Sequence, residues 1–150
     1  MISASFAEVL SAARRRNEAL AGTYREAARH LLSRSVSSVA ASAADQRGEL
    51  GEELAKLEAS LSQSLSEKRL SLEEGLLRGT EAPVQGGDEA KALLSRLLEA
   101  ETEDRELFAL LSAAARPDNP DAAAELEAFS DQAKKRAAWA QDHLDLLALS

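Results

Sequence analysis

Apolar residues recur at three- and four-residue spacing along most of the chain, the period of a helix buried on one face. The first stripe runs Phe6, Val9, Leu10, Ala13, Leu20, Tyr24, Ala27 and Leu31, and predicts a helix over about 6–33. Ser5-x-x-Glu8 fits a capping box at its start, hydroxyl and carboxylate each satisfying a free backbone N–H. The segment MISASFAEVLSAARRR therefore reads as the first turns of this amphipathic helix. After a tight connection at Ser33-Arg34-Ser35, a second stripe takes in Val36, Val39, Ala43, Leu50, Leu54, Leu57, Leu61, Leu65, Leu72 and Leu76. It predicts a helix over about 36–78, roughly 65 Å long. Gly48 and Gly51 are its weak points, and the Ser-rich stretch 60–71 is the place for a bend or a break.

Gly79 ends that run, and GTEAPVQGG reads as a loop. Asp88 is a good N-cap for a third helix over 89–115, carrying Leu93, Leu94, Leu97, Leu98, Leu107, Phe108 and Leu111. Asn119 caps a fourth helix over 120–148, with Pro120 at the first helical position. Its stripe is Ala123, Leu126, Phe129, Ala133, Ala137, Ala140, Leu144 and Leu147. β-Branched residues are scarce and do not alternate, so no strand is expected. The pattern predicts an all-α, single-domain chain over 1–150. Its architecture would be an antiparallel four-helix bundle with a long second helix and one crossover connection.

Composition narrows the chemistry. The 150 residues include no Cys, which excludes disulfides, thiolate metal sites and Cys nucleophiles. The 18 Lys and Arg against 26 Asp and Glu, a formal charge of −8, make the chain a poor partner for nucleic acid. No cationic start precedes an apolar block at the N-terminus, and no apolar run approaches the ~20 residues needed to cross a bilayer. The expectation is a cytoplasmic protein with no membrane partner.

The two halves repeat one another. Asn17 stands seven residues before Tyr24, and Glu101 seven before Phe108; Arg47 precedes Leu50 by three, and Arg136 precedes Trp139 by three. This paired-helix duplication resembles the rubrerythrin-like branch of the ferritin-like superfamily. There each half supplies a Glu seven residues before an aromatic and a Glu-x-x-His on the next helix, together holding two irons in the core. The resemblance covers helices one, three and four and the first half of helix two. It implies that the ligand positions are Asn17, Arg47, Leu50, Glu101, Arg136 and Trp139, of which only Glu101 keeps the family's residue type. Two guanidiniums would repel iron, and no Glu-x-x-His occurs in the chain. No metal, cofactor or catalytic residue is therefore expected. Glu101 is expected to pair with Arg136, Arg47 or both, with Asn17 completing the hydrogen bonding.

The remaining features have plain readings. Glu99, Glu101, Glu103, Asp104 and Glu106 form a solvated face with one inward Glu, and Arg14-Arg15-Arg16 a solvated face able to pair with it. His30 pairs with Glu26 four residues earlier; His143 beside Asp142 and Asp145 is a weak single-His metal candidate. Trp139 and Tyr24 lie on inward stripes. No Gly-x-Ser-x-Gly elbow or Walker loop is present. The expected role is non-catalytic, structural or protein-interacting, with Leu54, Leu57, Leu61 and Leu65 forming a homodimer seam along helix two. Two alternatives stand beside it. One is a metal-binding relative, for storage or redox work, using displaced carboxylates at Glu18, Asp45, Glu49, Glu103 and Asp104. The other is a helical adaptor or chaperone that takes a partner helix in an apolar groove along 54–77.

Overall fold

The computed structural model describes residues 1–30, 34–77 and 90–149, and most of these are helical. In chain order come a strand β1 (Ile2–Ser5), the long helices α1 (Phe6–His30) and α2 (Arg34–Ser60), and a single turn α3 (Gln63–Ser66). A strand β2 (Arg69–Leu72), a 3₁₀ turn (Glu74–Leu77) and the long helices α4 (Ala90–Ala115) and α5 (Pro120–Ala148) follow.

Local chemistry sets several boundaries. At the start of α1 the Glu8 N–H donates to Ser5 Oγ at 3.1 Å, and the Ser5 N–H donates back to Glu8 Oε1 at 3.4 Å. Asn119 Oδ1 accepts from the Ala122 N–H at 3.1 Å, ahead of a helix whose first residue, Pro120, has no N–H to satisfy. Ser62 caps α3 by accepting from the Leu65 N–H. Lys68 Nζ donates to the Ala114 carbonyl at 2.7 Å, placing a cation on the C-terminal turn of α4.

The apolar core falls into two clusters. One surrounds Phe6, Leu10, Leu54, Leu107, Phe108 and Leu126; the other surrounds Leu20, Tyr24, Ala40, Leu93 and Leu97. Helices α1 and α5 run from the first cluster to the second, whereas α2 and α4 run the opposite way. The closest packing is of α1 on α2 and of α4 on α5, and thinner contacts join α1 to α4 and α2 to α5. Phe108 and Phe129 meet edge to face, ring centroids 5.7 Å apart, between α4 and α5. The strands close the outer end of the first cluster. They pair antiparallel, Ile2 opposite Leu72 and Ser5 opposite Arg69, so that Ala4, Leu70 and Leu72 are buried while Ser3 and Ser71 face out.

Four expectations are corrected here. The second helix does not continue to 78: it ends at Ser60, and beyond it Leu65 belongs to a single helical turn, Leu70 and Leu72 to a strand, and Leu76 to a 3₁₀ turn. Residues 2–5 and 69–72 form strands, where no strand was expected. Leu54, Leu57 and Leu65 are buried in the chain's own core and Leu61 packs against it, so these leucines are spent on that core and do not form a seam to a second copy or line a groove for a partner helix. Val39 and Leu147, assigned to inward stripes, are exposed. The loop expected after Gly79, the Asp88 cap, Leu31 and the His30 side chain lie outside the described residues.

Candidate functional site

Between the two apolar clusters lies a layer of charge. Each long helix contributes from the turn where its apolar stripe is interrupted: Arg16 and Asn17 on α1, Arg47 on α2, Glu101 and Asp104 on α4, Arg136 on α5. All six side chains are buried, and Arg47, Glu101 and Asp104 have no exposed side-chain surface. On α4 the two carboxylates share a face because they stand three residues apart, in line with Ala100, Leu97 and Leu107.

Glu101 is the hub. Its Oε1 accepts from Arg47 Nη2 at 2.5 Å and Nε at 3.2 Å, from Arg136 Nε at 2.9 Å and from the Tyr24 hydroxyl at 3.2 Å. Its Oε2 accepts from Arg136 Nε at 2.9 Å. Asp104 bridges the other pair, Oδ1 accepting from Arg16 Nε at 2.8 Å and Oδ2 from Arg47 Nη1 at 2.7 Å. Arg16 also reaches Glu103 at 3.0 Å, at the edge of the layer. Asn17 ties α1 to α2: its Nδ2 donates to the Arg47 carbonyl at 2.8 Å, and its Oδ1 accepts from Arg47 Nη1 at 3.1 Å. Three guanidiniums thus meet Glu101, Asp104 and Glu103, and an uncompensated buried charge, the costly case, is avoided.

The electrostatics are uneven across the layer. Burial alone would make Arg47 less basic, but the carboxylates of Glu101 and Asp104 outweigh it and raise its pKa. Arg136 moves the other way, lowered by burial and by the neighbouring Arg47 charge, with Glu101 only partly offsetting both. Burial, followed by the Glu101 carboxylate, pushes the Tyr24 hydroxyl well above its usual range, so it stays a proton donor.

Of the residues singled out from sequence, the structure brings together Asn17, Arg47, Glu101 and Arg136. Leu50 and Trp139 sit outside the ionic contacts. Leu50 belongs to the first apolar cluster, and half-buried Trp139 packs on Tyr24 and His143 at ring-centroid distances of 6.5 and 4.9 Å. Two assignments are corrected. Arg16 is buried, not on a solvated face, and the acidic run sends two carboxylates inward, Asp104 as well as Glu101. Both were detectable: Arg16 lies three residues after Ala13 and four before Leu20, on the stripe itself, and Asp104 lies three before Leu107. The Tyr24 hydroxyl contact carries no local sequence signal. His143 Nδ1 lies 3.0 Å from the Trp139 carbonyl, which can only accept, so that nitrogen carries the proton and is not offered to a metal.

Beside the layer, a cleft of about 500 Å³ opens between α2 and α5, with Gln46, Leu50, Phe129, Lys135, Arg136 and Trp139 on its walls. Two buried nitrogens here have no hydrogen-bond partner among the described residues, Arg136 Nη2 and Trp139 Nε1. As for metals, no group of three or more His, Asp or Glu side chains converges among the described residues. Compared with protein-family models, curated proteins and solved structures, the chain matches none.

Proposed function

We propose that this chain is a ferritin-like four-helix protein in which an ionic layer stands where relatives hold a metal pair, and that its role is structural or protein-interacting and not catalytic. The observation that carries this reading is the state of Glu101. It is the one residue of ligand type among the six matched positions, and both of its oxygens accept from guanidiniums at two of the others, Arg47 and Arg136. Two cations already occupy the carboxylate, and a di-iron site needs several anionic oxygens together with imidazole. The residues present do not fit that group. Helix directions support the architectural half of the proposal: α1 and α2 run antiparallel, α4 and α5 likewise, and the chain crosses from one pair to the other after α2.

The displaced carboxylates lend little to the alternative of metal storage. Glu18, Asp45 and Glu49 are exposed, whereas Asp104 is consumed by Arg16 and Arg47. Elemental analysis of protein purified from iron- and manganese-supplemented medium tests the proposal directly. The expected result is metal far below one equivalent per chain. About two equivalents per chain, retained through gel filtration and lost in Glu101→Ala, would overturn it.

A further inference from the structure

The fork of Arg136 is only half used. Its Nε is engaged by Glu101, but among the described residues the terminal edge formed by Nη1 and Nη2 holds a single 3.5 Å contact, from Nη1 to Gln46 Oε1. That edge is the one with which a guanidinium grips a carboxylate through two parallel bonds. One turn further along α5, Trp139 Nε1 is a second donor with no acceptor among the described residues. Buried donors without acceptors are rare in native proteins and call for an explanation. Both residues line the α2–α5 cleft, whose volume suits a small organic molecule and whose walls include Leu50 and Phe129. Burial and the Arg47 charge hold the Arg136 pKa down, with Glu101 only partly offsetting both.

We infer that the cleft is a binding site for a small monocarboxylate with an apolar body, its carboxylate taking the Nη edge of Arg136 as Gln46 moves aside and its body lying against Leu50, Phe129 and Trp139. Gln46, across the cleft on α2, is the side chain such a ligand displaces, because a contact at 3.5 Å holds it weakly. Lys135 at the mouth adds attraction, while Glu49 and Glu53 on the α2 wall oppose a second negative charge, so one carboxylate is preferred to two.

Octanoate is the probe, with octanamide as its uncharged counterpart, read by titration calorimetry and by emission of Trp139, the chain's one tryptophan. Octanoate is expected to saturate and to shift the emission, with octanamide about tenfold weaker. Arg136→Lys keeps the charge but not the fork, and is expected to weaken octanoate about tenfold. Ser42→Phe, at an exposed position lining the cleft and outside the ionic layer, fills the site and is expected to abolish binding at unchanged Tm. It carries the test if Arg136→Lys does not fold. The inference falls if octanoate fails to saturate at low millimolar concentration, if octanamide binds equally well, or if Ser42→Phe binds as the parent does.

Discussion

Arg47 shows how much one side chain can be made responsible for. Its guanidinium touches both inward carboxylates of α4, and its backbone carbonyl receives Asn17. Replacing it with Met keeps the volume and leaves Glu101 with one cation and Asp104 with one, in a buried space. The expected loss is about 3–5 kcal/mol, against less than about 1 kcal/mol for Arg14→Met, which breaks only the partly exposed 2.6 Å pair with Glu58. Urea unfolding of the two variants checks the contrast. Much of this layer is legible in the sequence, because polar residues sit where the apolar stripes pause. Asn17, Arg47, Glu101 and Arg136 can be placed by aligning one half of the chain on the other. Arg16 is hidden by its neighbours: three consecutive arginines look like surface, yet only the third falls on the stripe.

Among the elements, α2 is the instructive one. Spacing of three and four between leucines continues past Ser60, so the helical stripe reads on to Leu76. The backbone beneath it changes from helix to turn to strand while leucine stays inward at each stage. The signal that separates them is the short alternation Leu70-x-Leu72, whose partner Ile2-x-Ala4 lies far away at the N-terminus. Local pattern cannot see that pairing, since strand stability comes from the facing chain. The glycines of α2 allow a finer check. A Cβ at Gly48 would meet nothing within 4 Å, and Gly48→Ala is expected to stabilise by about 1 kcal/mol. At Gly51 it would stand 3.2 Å from Asn17 Nδ2, the atom bonded to the Arg47 carbonyl. Gly51→Ala is therefore expected to gain less than Gly48→Ala, or to destabilise, in the same thermal melts.

At the scale of the molecule, the weak junction is α2 against α5, where contacts are few and like charges meet. Burial, and then a hydrogen bond and repulsion from Glu53, raise the pKa of Glu125 above its usual 4.5. A raised carboxyl favours the protonated folded form, so its contribution to stability is present in acid and is lost as pH rises through the raised value. Glu125→Gln keeps the hydrogen bond and removes the charge. Its Tm is expected to exceed the parent's at about pH 7, with the gap closing towards pH 4. A gap that is constant with pH would assign the effect to packing alone.

The charged layer also fixes how the helices can slide. Alanine and leucine surfaces are permissive, and two such helices shifted by a turn, about 5.4 Å, can still bury methyl groups against one another. A shift of α4 by that distance would carry Glu101 and Asp104 into leucine and strip Arg16, Arg47 and Arg136 of those carboxylates, leaving buried charge uncompensated. Only one axial setting satisfies every charge, so a core built from the least discriminating side chains acquires a single alignment from six polar ones.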